Sequence, residues 1–307
     1  MSAQPTLSVP IDFTVGSRRL LSVKRELATW SFSLGQALEA DIGPLYAPAP
    51  GPDGFRVLSA PLSMIPAITA SFPNHVIGAR QNYPRHYIAM DGSFDDYMAR
   101  FSGKTRSTLR RKARKLEKEV GAGFAVTEHR TPSEIETFLT RAKPLSAMTY
   151  QARLLDAGLP DTPEAKAEML RLAQDDQMRA YLLEGADGPI AYLALPVQSS
   201  SVIYAHLGYH PDWARLSPGT VLQMEALQRL FAEDRYTHFD FTEGDGAHKA
   251  MFGTHHIRCA SFALLAPTLA NRALLTGRGA FDKGVAAAKS LAEKSGALAR
   301  IRSRLRA

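Results

Sequence analysis

The sequence predicts an α/β chain built on a mixed sheet, and three observations carry that prediction. The first is a strand, loop, helix, strand and polar-loop succession over residues 201–254. The second is an apolar hairpin over 179–199, folded about Gly185-Ala186-Asp187-Gly188, a strong turn signal. The third is residues 102–121, where Leu109, Ala113, Leu116 and Val120 recur at i, i+4, i+7 and i+11 on one helical face.

Composition bounds the classes. The chain has 307 residues, 45% hydrophobic and 22% charged, as in soluble globular proteins. The single cysteine, Cys259, rules out an internal disulfide and fits a reducing cytoplasm. The N-terminus lacks a signal-peptide pattern, and no stretch approaches the roughly 20 apolar residues of a membrane span. A cytoplasmic protein, peripheral at most to a membrane, is expected. The net charge of +7 is concentrated at the C-terminus, where residues 266–307 hold nine Lys/Arg against Asp282 and Glu293.

Residues 1–100 read as an N-terminal α/β segment. Arg25–Glu39 is expected to be helical, with Leu27, Trp30, Leu34 and Leu38 as a stripe; 43–54 is a proline- and glycine-rich loop. Short strands are expected at 55–58, 76–77 and 87–90, and a helix over 95–101. The helix over 102–121 carries eight basic residues, Arg106 and Arg110 among them, against Glu117 and Glu119. It reads either as a solvated face or as a site for phosphate or an anionic surface. It has no interleaved aromatics, which argues against single-stranded nucleic acid.

Phe124–His129 reads as a strand, and Thr131-Pro132-Ser133-Glu134 as a capping box opening a helix. Residues 140–176 read as mostly helical, with breaks near Pro144 and over 158–163. Val202–Tyr209, β-branched and aromatic, reads as one strand. Ser217 is a favourable N-cap, Pro218 suits the first helical position and Gly219 leaves the backbone bare for a ligand. Val221, Met224, Leu227, Leu230 and Phe231 give that helix one buried face. Strands follow at 238–242 and 257–265, the latter closing the sheet. The tail 266–307 is alanine-rich and basic, with an approximate apolar stripe. It is either an interfacial membrane helix or a loosely attached terminus.

A helix start with free amides is a ready anion site, though an ordinary capped helix would look the same. The Walker lysine motif and G-x-G-x-x-G are both missing. The run from Tyr204 through Ser217-Pro218-Gly219-Thr220, the helix, Asp240-Phe241-x-x-Gly244-Asp245 and Lys249 resembles the GNAT acyltransferase superfamily. More narrowly it is similar to the CelD-like branch related to Fem-type peptidyltransferases, over roughly 100–265. The resemblance implies a GNAT domain over 101–265, opened by the basic helix, and leaves open a reduced GNAT-like unit over 1–100. It implies an acyl-CoA co-substrate with its pyrophosphate held around Arg215, Ser217, Gly219 and Thr220. A proline replaces the first glycine of the family's usual loop. It also implies acceptor contacts near Tyr150, with the strand carrying Tyr204 lying along the pantetheine arm.

Acyl transfer to an amine needs a base, a polarised carbonyl and a proton for the leaving thiolate. Glu243, His206 and Asp240 are the candidates for acid/base and orienting roles. His206 is expected on the face shared by Val202 and Tyr204, and Asp240 on the face away from Phe239 and Phe241. Asp245 and Lys249 are expected to bind substrate, with Arg106 and Arg110 as further anion contacts. Cys259 lies in an apolar strand pattern, which disfavours a nucleophile. No metal is expected, since His255-His256 are adjacent rather than i, i+4. The leading reading is an acyl-CoA-dependent N-acyltransferase acting on an amine of a small molecule, lipid or envelope precursor. A Fem-type transferase using aminoacyl-tRNA and a non-catalytic membrane or nucleic-acid adaptor are the alternatives.

Overall fold

The computed structural model describes residues 6–15, 18–39, 47–149 and 158–294. Two compact units are present: Arg85–His256, and the residues up to Pro84 together with those from Ile257. The sequence reading drew its boundaries at 100 and 265.

The discontinuous unit begins with a long antiparallel hairpin, β1 (Thr6–Val15) and β2 (Arg18–Ser31). A short helix α1 (Leu34–Leu38) follows, capped reciprocally by Ser33 and Gln36. Then come β3 (Gly54–Pro61), α2 (Ile65–Ser71) and β4 (Val76–Ala89), whose residues to Pro84 belong here. The helix expected over 25–39 is thus largely strand. Ala28, Trp30 and Phe32 alternate into one core with Phe55 and Val57, while Leu27 points to another with Ile11. Burial on both faces hides a period of two behind a stripe that also fits a helix.

Arg85–His256 forms the other unit. Helix α3 (Phe94–Ala99) starts at a Ser93/Asp96 capping box. Helix α4 (Gly103–Val120) is the basic helix and buries Leu109 and Leu116. After β5 (Ala125–His129), α5 (Pro132–Met148) opens at the Thr131/Glu134 box and runs through Pro144 without a break. Helix α6 (Pro163–Gln174) leads to the hairpin β6 (Met178–Gly185) and β7 (Gly188–Gln198). Then come β8 (Ser201–Ile203), β9 (His206–Tyr209), α7 (Pro218–Ala232), β10 (His238–Asp240) and α8 (Ala247–Phe252). The strands run in the order β4, β10, β8, β7, β6, β5, with β9 also on β7. The β8–β10 pair is parallel; the other pairs in this unit are antiparallel. One core packs Leu193, Val202, Phe239 and Phe241 against α3, α4 and α7. On the other face, Tyr192 and Ala194 pack with residues of α5 and α6.

The chain then returns to the first unit through β11 (His255–Leu265), which pairs β3 antiparallel, Leu264 opposite Phe55. Residues 257–265 therefore extend the discontinuous unit's sheet. Helix α9 (Leu269–Lys294) ends the described chain. No described helix is long and apolar enough to cross a membrane.

Candidate functional site

The site is organised by strands that part. β8 pairs β10 in parallel from Ser201↔His238 to Ile203↔Asp240, and Tyr204 N–H still donates to the Asp240 carbonyl at 2.9 Å. From His206 onward the strand pairs β7 instead, His206 opposite Ala194. Val202 and Tyr204 pack into the core beneath α7, and so does Leu207. Two residues rather than one separate Tyr204 from Leu207, so side-chain alternation slips by one, as at a β-bulge. His206 consequently lies on the opposite face, with Ala194 and Tyr192, and not on the face of Val202 and Tyr204 that simple alternation predicts. Its Nδ1 is buried without a partner among the described residues. Burial holds its pKa below the ordinary histidine value, against a backbone hydrogen bond at Gly158 that raises it.

Helix α7 begins beside this bulge. A 3₁₀ turn, Pro211–Leu216, delivers Ser217 in the left-handed region, φ 57°. Its side chain makes no capping bond, contrary to expectation; its carbonyl accepts from Thr220 and Val221 N–H at 3.0 and 3.2 Å. Gly219 is buried, and a Cβ there would stand 2.9 Å from Leu207 Cδ2 and 3.2 Å from Tyr209 Cδ1. The glycine therefore lets the helix start press on β9. Arg215 is tied to Glu119 of α4 at 2.5 Å, which lowers the Glu119 pKa.

Alongside lies the basic helix. Two cavities of about 280 and 260 Å³ share Leu109, Lys112 and Thr220, marking a groove between α4 and the start of α7. Lys104, Thr105, Thr108 and His248 line the first; Asp95, Arg110 and Glu225 are among those lining the second. Hydroxyls, ammonium groups and a helix N-terminus converge in the first, a combination suited to an anion. Part of the basic helix thus faces a cavity, a role its sequence leaves open. Arg106 does not line either cavity; it donates to the Ala99 and Phe101 carbonyls at 3.1 and 2.8 Å, clamping the preceding turn.

The carboxyl end of β10 is built on a pair that the sequence hides. Asp240 is 0% exposed. Arg85 Nε donates to its Oδ1 at 3.1 Å and Arg85 Nη2 to its Oδ2 at 2.5 Å; Thr242 N–H also donates to Oδ1, at 2.8 Å. Both oxygens are engaged away from solvent, so the acid/base role expected of Asp240 gives way to anchoring the loop that follows. Thr242 turns that loop with φ 61°. Lys249 donates to the Glu243 carbonyl, closing the loop on itself. Burial lowers the Lys249 pKa, while Asp240 and Glu243 oppose the shift. This lysine holds the loop. Glu243 and Asp245 are exposed, Asp245 standing 3.8 Å from His86 Nε2.

His248, on α8, completes the groove wall. Its Nε2 is 2.7 Å from Oε1 of Gln223, a fully buried residue of α7. Its ring stacks on Tyr204 at 6.2 Å and lies 4.7 Å from Phe252. Burial chiefly, then Lys112 and Lys249, holds its pKa below the ordinary value. A neutral ring donating from Nε2 to Gln223 keeps Nδ1 as an acceptor. Tyr150 lies outside the described residues. Among the described residues no group of three His, Cys, Asp or Glu could hold a metal.

Residues 103–250 match the family model described as an acetyltransferase (GNAT) domain. A search of curated proteins finds no match. Solved structures similar to this chain include FemX, at 11% identity and TM-score 0.47, covering 85% of this chain and 89% of that one. The structure of L-PGS from Bacillus licheniformis shows 16% identity and TM-score 0.45, covering 73% and 72%. A C-terminal DUF2156 domain from Agrobacterium fabrum, assigned as a lysylphosphatidylglycerol synthetase, shows 13% identity and TM-score 0.47, covering 74% and 72%.

Proposed function

We propose that this chain, whose residues 103–250 match the acetyltransferase (GNAT) domain model, is an N-acyltransferase that takes its acyl group from acyl-CoA. The groove between α4 and α7 carries the reading. Lys104 and Lys112 with Thr105, Thr108 and Thr220 suit a diphosphate, at the positive end of the α7 dipole. The parting of β9 from β10 offers a cleft for the extended arm, with the bulge at Tyr204–His206 beside it.

The chemistry then follows. An acceptor amine attacks the thioester carbonyl, a C–N bond forms, the C–S bond breaks and the thiolate takes a proton. Backbone N–H groups at the bulge suit the developing oxyanion. Exposed Glu243 suits removal of the amine proton, since His248 lines the cavity given to the diphosphate and the pantetheine arm carries the thioester away from it. His206, on the far face of the sheet, suits an acceptor-side contact better than this step. An amine of a lipid or envelope precursor is the acceptor favoured by the chain's basic charge.

A second reading has one observation in its favour. Arg110, Arg111, Arg114, Lys115 and Lys118 are exposed along α4, a longer cationic row than one diphosphate needs. A polyanionic donor such as aminoacyl-tRNA would use all of it. A thiol-release assay with acetyl-CoA, longer acyl-CoAs and a panel of amines separates the two. Amine-dependent release supports the acyl-CoA reading; its absence with every thioester, alongside tight tRNA binding, replaces it with the second.

A further inference from the structure

The β1–β2 hairpin of the discontinuous unit ends in apolar and basic side chains that stand exposed among the described residues. Val15 is 45% exposed, and Leu20 and Leu21 are each 55% exposed. The register shifts between Phe13↔Leu21 and Thr14↔Arg19, leaving Leu20 as an extra residue. A bulge breaks side-chain alternation, and here two consecutive leucines stand in solvent. Arg19 is exposed beside them and Arg18 adjoins it in sequence.

Helix α9 runs toward the same end. Leu275 packs with Ile11 and Leu27, and Phe281 meets the Phe13 ring at 5.4 Å. From Ile11 to Phe13 the strand advances about 7 Å, and from Leu275 to Phe281 the helix advances about 9 Å, so the two run side by side. From Phe281 to Lys294 the helix advances about 20 Å, against about 7 Å of strand from Phe13 to Val15, so its last described turns reach beyond Val15. From Arg278 to the C-terminus the sequence holds eight Lys/Arg against two acids.

We propose that Leu20 and Leu21, beside the hairpin turn, insert into an anionic lipid surface, with the cationic helix α9 held against the headgroups. The neighbouring cations match anionic headgroups, and exposed leucines beside a hairpin turn suit the acyl boundary just beneath them. A second copy fits poorly, because a two-fold contact at the tip would bring Arg18 and Arg19 against their own counterparts. This inference is independent of the donor proposed for the other unit.

The test is co-sedimentation of the full chain with vesicles of phosphatidylcholine alone or with a third phosphatidylglycerol. The wild type is expected to sediment with the anionic vesicles, less so at high salt, and weakly with the neutral ones. Leu20→Asp/Leu21→Asp changes only exposed side chains and is expected to lower partitioning about tenfold or more while leaving the melting temperature unchanged. Arg19→Glu/Lys283→Glu is expected to lower binding to anionic vesicles alone. A wild type that stays in the supernatant, or a leucine variant that binds as the wild type does, overturns the proposal. So does a wild-type dimer in sedimentation equilibrium that the leucine variant converts to monomer.

Discussion

Replacing Asp240 with alanine tests whether that carboxylate is an anchor or a base. Its two oxygens receive three hydrogen bonds, two from Arg85 and one from Thr242 N–H, and Arg85 is only 5% exposed. Removing one partner of a buried pair costs about 3–5 kcal/mol, because the remaining charge keeps its desolvation cost without its counterion. Against a total stability of roughly 5–15 kcal/mol, that lowers the melting temperature by on the order of 10 °C. Arg85→Met/Asp240→Leu removes both charges and leaves at least the Thr242 amide unpaired, about 1–3 kcal/mol. A urea-unfolding cycle over the wild type, Arg85→Met, Asp240→Leu and the double variant should therefore give a coupling of about 2 kcal/mol or more, with the double variant more stable than Asp240→Leu alone. Asp240→Asn keeps an acceptor for Thr242 and should retain turnover within about tenfold at a temperature where it is folded. A cost below about 1 kcal/mol for Asp240→Ala, or loss of turnover in a fully folded Asp240→Asn, would refute the anchoring role.

Acid should destabilise the chain. Burial holds His129, His206 and His248 below the ordinary histidine value. The unfolded chain therefore binds more protons as the pH drops through about 6.5; stability is complete above that value and declines below it. Asp176, held at about 2 by Arg179 and Arg235 against the effect of burial, adds a decline only below about pH 3.8. Urea midpoints at neutral and mildly acidic pH check this, and an unchanged midpoint contradicts it. Gly219→Ala should cost about 1–3 kcal/mol, since its methyl meets Leu207 and Tyr209; a neutral result would mean that β9 yields freely. His248→Phe should weaken CoA binding with little change in kcat, since the imidazole lines the cavity given to the diphosphate. A fall in kcat of about a hundredfold with affinity unchanged would make the residue a base instead.

Local chemistry explains which features could be read from the sequence. The Thr131/Glu134 box, the 185–188 turn, Pro218 at a helix start and the Leu109/Leu116 stripe each act within a few residues, and each is found in place. β2 was hidden because strands buried on both faces lose their alternation. The Arg85–Asp240 pair joins residues 155 apart, and pattern reading has no access to such a contact. His206 was assigned to the wrong face because a bulge leaves no mark in strand composition. The groove lay partly in view: the cations of α4 and the start of α7 were both read as anion sites, but not as two walls of one.

Calorimetric titration of acetyl-CoA into the wild type and into Lys112→Glu tests the central claim most directly. Lys112 is half-buried and lines both cavities. Two units of charge change near the phosphates at an effective dielectric of about 20 correspond to at least a tenfold loss of affinity. The account predicts saturable binding by the wild type, weakened by about that factor in the variant and by added salt. Binding that Lys112→Glu leaves intact, or no binding of CoA at all, would contradict the groove as the donor site.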